Sequence, residues 1–217
     1  TMNNTQTKTI AIFAALAALM AATRFDHFGS AVSLPDASYA VFFLGGLYLA
    51  RSARAAMAAF IALILGAGLI DYYATSVQGI SDWCMTPAYW FLIPTYAGLW
   101  FAGRWLAMHS HSAKSPKDAG ISRWLALRHT MQGRGLAGLA IVAWAACSFA
   151  FMFSNVTFYL FSGRFADMSA TEYASRVAQY YGSYVSMALL YIACAAALHI
   201  AFGIVGRQRA HSRSQAL

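Results

Sequence analysis

The sequence predicts an all-α membrane protein, a bundle of six transmembrane helices with both termini on the cytoplasmic side. Three observations lead to this fold class. Of the 217 residues, 60% are hydrophobic and only 10% are charged, whereas soluble globular domains carry about 25% charged residues. The hydrophobic residues fall into six runs. The polar segments between them are alternately rich and poor in basic residues, as the positive-inside rule requires.

The six apolar runs define one transmembrane domain, because no polar segment is long enough to fold separately. A helix needs about 20 residues to cross the hydrocarbon core of a bilayer. The first two runs are shorter, so they must extend into their flanks or thin the bilayer locally. The predicted spans within residues 1–217 are 9–22, 37–50, 55–74, 88–108, 136–161 and 180–205.

The orientation follows from the basic residues. With six spans, 12 of the 15 lysines and arginines lie on one side, and only Arg24, Arg164 and Arg176 lie on the other. The basic side is cytoplasmic by the positive-inside rule, which predicts that both termini lie in the cytoplasm. A five-span arrangement breaks this alternation, so the charges support the short second span.

The outer side is acidic. It carries three arginines and six carboxylates, a net charge of −3. This charge favours a neutral or cationic ligand over a phosphate or another polyanion. The basic inner side is explained by topology and by contact with the anionic lipid bilayer, so nucleic acid is not an expected partner.

The outer segment before the sixth span contains a helix-start signal. Ser169 and Glu172 have the spacing of a capping box, in which a serine side chain and a glutamate three residues later cap the first turn of a helix. We therefore expect a helix to begin near Ser169 and to run into the sixth span.

Aromatic residues are concentrated at the outer end of the predicted bundle. Part of this excess is the usual aromatic belt at the headgroup level. The rest is typical of a concave site for a large, flat, partly apolar ligand. The side chains expected to contact such a ligand, in addition to those discussed next, are Tyr39, Trp83, Met85, Tyr159 and His27.

Cys84 is the strongest candidate for chemistry. It follows Trp83 in a short outer segment just before Pro87 and the fourth span, whereas Cys147 and Cys194 lie in apolar runs and are predicted to be buried core residues. The alternative for Cys84 is a half-buried small apolar side chain. A lone thiolate has too few donor atoms for a zinc site, but it suffices as one axial ligand of a metal held in a macrocycle.

Asp71 closes the third apolar run. A carboxylate so close to the hydrocarbon is costly unless it has a partner or a role. One interpretation is a solvated acid at a helix end; the other is a hydrogen-bond acceptor or proton carrier beside the ligand, with Tyr89 as its partner.

Several other sites are not expected. His199 is the only histidine deep in a span, so a haem held by two histidines lacks its second ligand. The cytoplasmic His109, His111 and His129 fit a solvated polar loop better than a metal site. The sequence has no G-x-x-x-x-G-K-[ST] motif, so no P-loop nucleotide site is expected.

The first span carries alanines four residues apart, among them Ala11 and Ala15. Small residues at this spacing allow another helix to approach closely. Packing within the bundle is one interpretation, and a docking face for a partner membrane protein is the other.

Six spans, a small-residue face on the first span and an outer substrate mouth resemble the substrate-binding (S) components of energy-coupling-factor vitamin transporters. Within that group, the stretch Ser-Asp-Trp-Cys-Met-Thr-Pro at residues 81–87, followed by Ala-Tyr-Trp, resembles the BtuM family of cobalamin transporters. That family is similar to solitary S components, which act without a dedicated energising module. The resemblance implies a multi-pass protein of the bacterial cell inner membrane that binds cobalamin, vitamin B12, at its outer mouth.

The resemblance further implies that Cys84 is the axial ligand of the corrinoid cobalt and that Asp71 and Tyr89 are polar helpers beside it. The protein is then primarily a transporter, and reductive decyanation of cyanocobalamin is a possible accompanying activity. It also implies that Ala11 and Ala15 match the face that docks on an energising module. Two alternatives remain: an S-component-like transporter for another vitamin such as the cation thiamine, which binds through cation–π contacts, or a membrane redox protein carrying haem or quinone.

Overall fold

The computed structural model describes residues 4–25, 35–49, 52–79, 81–109 and 134–215, and no strand occurs in these ranges. Within these ranges six α-helices coincide with the six apolar runs, and a short 3-10 helix (Pro87–Phe91) precedes the fourth. The helices are α1 (Asn4–Phe25), α2 (Ser38–Leu49), α3 (Ala53–Ser76), α4 (Leu92–His109), α5 (Arg134–Phe161) and α6 (Ala170–Gln215).

Four of the helices are long and apolar enough to cross a membrane: Gln6–Arg24, Ala53–Ser76, Gly135–Phe161 and Ala170–Phe202. Neither α2 nor α4 is among them. In the described ranges the fold is all-helical, and the length and composition of these four helices are compatible with a membrane protein. The six-span topology with cytoplasmic termini stays a prediction.

The short helix α2 forms the centre of the bundle. It has 12 residues, none of them charged, and it packs against all five other helices. Residues 40 to 47 are all buried. A helix that is apolar on every face is buried on every face, which explains why the run that is too short to be a convincing span is the best-protected helix of the fold.

Glycines bring α2 and α4 into backbone contact. A Cβ atom added to Gly46 would meet the backbone of Trp100, and one added to Gly103 would meet the carbonyl group of Phe43. The ring of Trp100 covers Gly45 from the same side. Close approach of helix backbones through small residues is a recurrent way of packing helices in membranes.

Consecutive helices run in opposite directions. Phe42 of α2 packs on Phe60 of α3, and Gly98 of α4 faces Phe149 of α5. The ends of α1, α3 and α5 and the beginnings of α2 and α4 meet at one end of the bundle, which we call the Arg24 end. The start of α6 joins α5 near the same end, where the Tyr173 hydroxyl donates to the Asn155 carbonyl over 3.1 Å.

The start of α6 and the exposure of two cysteines can be compared with their predictions. The helix start predicted from the capping box is confirmed: α6 begins at Ala170, and the Glu172 backbone N–H donates to the Ser169 hydroxyl at 3.3 Å. The prediction that Cys194 is buried is wrong, because it lies exposed on α6, whereas Cys147 is buried as expected. An apolar run alone does not indicate which face of its helix points inward.

Candidate functional site

A buried ion pair organises the Arg24 end. The guanidinium of Arg24, on the last turn of α1, binds both carboxylate oxygens of Asp71 on α3: Nε donates to Oδ1 at 2.5 Å and Nη2 donates to Oδ2 at 2.6 Å. Arg24 is 7% exposed and Asp71 is 9% exposed. Parallel, bidentate contacts of this kind are the strongest and most directional that arginine makes with a carboxylate.

The remaining donor atoms of Arg24 connect two further helices. Nη1 donates to the Ser38 hydroxyl at 2.7 Å and to the Tyr96 hydroxyl at 3.1 Å. Asp36 lies 3.7 Å from the same nitrogen and also accepts hydrogen bonds from the backbone and hydroxyl of Ser38. One guanidinium therefore holds together α1, α2, α3 and α4.

This network decides between the two interpretations of Asp71. A carboxylate that is buried and bound on both oxygens is not a solvated acid at a helix end, so that interpretation is wrong. The expected hydrogen bond with Tyr89 is present: the Tyr89 hydroxyl donates to Asp71 Oδ2 at 2.7 Å. Asp71 thus connects Arg24 to the 3-10 helix that follows Cys84.

Cys84 lies at the tip of a tight turn. The Met85 backbone N–H donates to the Asp82 carbonyl at 2.7 Å, which places Trp83 and Cys84 at the two central positions of a β-turn. Pro87 then starts the 3-10 helix, where its missing N–H costs nothing. As a result Cys84 is an exposed residue.

The electrostatic surroundings of Cys84 oppose its ionisation. Although the residue is exposed, neighbouring protein removes part of the water around the thiol, and this raises its pKa above the ordinary value of 9.0. The negative charge of Asp71 raises the pKa further, while Arg24 and Arg164 lower it by smaller amounts. Cys84 is accordingly a neutral thiol at pH 7, and a metal that binds it must displace its proton.

Alkylation measures this pKa directly. In a Cys194→Ala background, we expect the rate of Cys84 alkylation by iodoacetamide to follow the thiolate fraction and to continue increasing above pH 9. Mass spectrometry of the labelled protein over a pH series gives the midpoint. A midpoint at or below 9.0 contradicts the described surroundings of the thiol.

The other residues predicted to contact the ligand differ in exposure. Trp83 and Met85 are exposed beside Cys84, at 49% and 38%. Tyr39 and Tyr159 are partly buried and already use their hydroxyls, since that of Tyr39 bonds to Ser154 and that of Tyr159 donates to the Met168 carbonyl. His27 lies outside the described residues.

The donor set limits which metal centres fit. Among the described ranges of the chain, no group of three or more His, Cys, Asp or Glu side chains is placed to hold a metal ion. A single thiol in this part of the protein suits a metal that brings its other ligands with it.

Sequence reasoning missed Arg24 as a site residue, together with its partners Ser38 and Tyr96. Arg24 was counted with the outer basic residues, yet it belongs to the buried last turn of α1. A signal was present: the sequence places one arginine and one aspartate at the ends of two apolar runs on the same predicted side, and a charge at such a depth needs an opposite charge.

No protein-family model matches this chain, and no curated protein is similar to it in sequence. The function assigned to the site therefore depends on the chain's own residues. The arrangement to be explained is an exposed thiol on a turn, next to exposed aromatic and thioether side chains and above a buried Arg–Asp–Tyr network.

Proposed function

We propose that the protein takes up cobalamin or a related corrinoid across the bacterial inner membrane and that Cys84 binds the corrinoid cobalt as an axial ligand at the Arg24 end. The observation that carries the proposal is the exposed thiol at the tip of the turn. A corrin supplies four nitrogen donors to cobalt, so a single soft donor from the protein completes an axial position.

The proposal requires six spans with both termini in the cytoplasm. Six helices that alternate in direction support it, as does the basic charge of the segments predicted to be cytoplasmic. The helix α2 crosses only part of the bilayer by itself, about 18 Å at 1.5 Å per residue. The five helices around it shield its ends from lipid, so its short length is compatible with this topology.

Asp71 and Tyr89 support the thiol without touching cobalt. Because Arg24 occupies both oxygens of Asp71, this carboxylate is an anchor for the Tyr89 hydroxyl and a weak candidate for proton carrier. For cyanocobalamin, exchange of cyanide for the thiol forms a cobalt–sulfur bond, breaks the cobalt–cyanide bond and releases hydrogen cyanide with the thiol proton. Reductive removal of cyanide needs an electron donor in addition.

The exposed alanines of α1 extend the proposal to a partner. Ala11, Ala15 and Ala18 all lie on the exposed side of the helix. An energising membrane module that docks there would pack its own helix against this smooth face.

Visible spectroscopy tests the function. Purified wild-type protein mixed with aquocobalamin is expected to shift the corrinoid absorption bands, and Cys84→Ala is expected to abolish the shift and lower the affinity at least tenfold. Cys194→Ala is the matched control, because it removes another exposed thiol away from the turn, and it is expected to behave like the wild type.

Three outcomes contradict the proposal. Unchanged affinity and spectrum in Cys84→Ala remove Cys84 as the ligand. Tight binding of thiamine without binding of any corrinoid assigns the site to the alternative transporter, and haem in the purified protein assigns it to the redox alternative.

A further inference from the structure

The loop between α5 and α6 reaches over the turn that carries Cys84. Arg164 in this loop places its guanidinium carbon 4.6 Å from the ring centroid of Trp83, the residue directly before Cys84. Both side chains are exposed. The proposed binding of cobalt by Cys84 gives this contact no role.

The loop presents Arg164 from a fixed backbone. On one side, Gly163 has a φ of 70°, which glycine adopts without strain, and the Arg164 N–H donates to the Ser162 hydroxyl at 3.2 Å. On the other side, the ring of Phe165 packs among the rings of Phe158, Tyr159 and Tyr173.

The far end of the loop is anchored as well, through the hydrogen bond from the Tyr159 hydroxyl to the Met168 carbonyl at 2.8 Å. The backbone around Arg164 is therefore held on both sides. The movable part is the arginine side chain, which can leave the Trp83 ring without rearrangement of the loop.

We propose that the guanidinium of Arg164 is a displaceable cover on the Trp83 ring, and that a flat conjugated ligand bound at Cys84 takes its place against the same ring face. The identity of the ligand, a corrinoid, rests on the proposed function. The cover itself is a property of the ligand-free protein. Arg164 is a positioning residue here and does not bind the metal.

The expected size of the effect follows from the strength of the contact. A cation–π contact at an exposed site favours the closed form by a factor of about 2 to 5. The ring face is then free in about a third to a sixth of the molecules, and the apparent affinity for a ligand that needs it falls by the same factor. Removing the guanidinium frees the ring face in all molecules and is expected to raise the apparent affinity about threefold to sixfold.

The experiment compares Arg164→Ala with the wild type in two measurements. The first is aquocobalamin affinity, which we expect to increase about threefold to sixfold in Arg164→Ala. The second is acrylamide quenching of the fluorescence that Trp83 contributes, taken as the difference between each protein and its Trp83→Phe counterpart. We expect quenching of Trp83 to increase in Arg164→Ala without any ligand present.

Arg176→Ala is the matched control, because it removes an exposed arginine of α6 near the same end of the bundle. It is expected to leave both measurements unchanged, which separates the cover from the general loss of one positive charge. An affinity for aquocobalamin that is unchanged or weaker in Arg164→Ala overturns the inference, as does unchanged quenching of Trp83. If the wild type binds no corrinoid, the proposed function fails, and the quenching measurement alone decides whether Arg164 covers Trp83.

Discussion

Replacing Gly103 with alanine is expected to destabilise the protein by about 3 kcal/mol, the upper part of the range for overpacking a core. The new methyl group would overlap the carbonyl group of Phe43 and would lie 3.0 Å from the Leu47 nitrogen. Both neighbours are backbone atoms of the central helix α2, so no side chain can rotate away. The expected decrease in Tm, measured by circular dichroism in detergent, is about 6–12 °C.

Gly68→Ala provides the control for this substitution. A Cβ atom at Gly68 of α3 meets nothing within 4 Å, and alanine favours a helix over glycine by up to about 1 kcal/mol. This variant is therefore expected to unfold at the wild-type temperature or a few degrees above it. Equal Tm values for Gly103→Ala and Gly68→Ala would contradict the close contact between α2 and α4.

Arg24→Ala is the second substitution with a large expected effect. It leaves Asp71 buried without its cation, and breaking a buried pair on one side costs about 3–5 kcal/mol. It also takes a hydrogen-bond donor from Ser38 and Tyr96. We expect a decrease in Tm of about 6–20 °C, with a smaller decrease in the double variant Arg24→Ala/Asp71→Ala, because that protein no longer buries an unpaired charge.

One further variant tests the geometry of the Arg24–Asp71 pair, and another is a control for the loss of an arginine. Arg24→Lys keeps the charge but cannot form two parallel hydrogen bonds, so its Tm is expected to fall between those of Arg24→Ala and the wild type. Arg54→Ala removes an exposed arginine of α3 and is expected to change the Tm by no more than about 2 °C. A double variant that is less stable than Arg24→Ala would show that the ion pair is not the source of the effect.

The helices were predictable from the sequence because each apolar run is bounded by polar residues. All six runs are helical, and the capping box at Ser169 correctly predicted where α6 begins. The central position of α2 was harder to predict from the sequence. The short length of α2 argued against a membrane-spanning helix, and only the absence of charged residues on every face of α2 indicated that it is buried on every side.

The site was predicted in part. The hydrogen bond between Tyr89 and Asp71 follows from the cost of an unpaired carboxylate, whereas the β-turn that contains Cys84 was not predicted. The contacts of Arg24 join residues up to 72 positions apart, and the contact of Arg164 with Trp83 joins two loops. Such contacts depend on how helices pack against one another, which the periodicity of one chain does not specify.

In the proposed function, the Cys84 sulfur bonds to the cobalt of a corrinoid. X-ray absorption at the cobalt edge, on wild-type protein loaded with aquocobalamin, measures that bond directly. We expect one sulfur neighbour of cobalt in the wild type and in Cys194→Ala, and none in Cys84→Ala. A spectrum of the loaded wild type with only nitrogen and oxygen neighbours around cobalt would contradict the account.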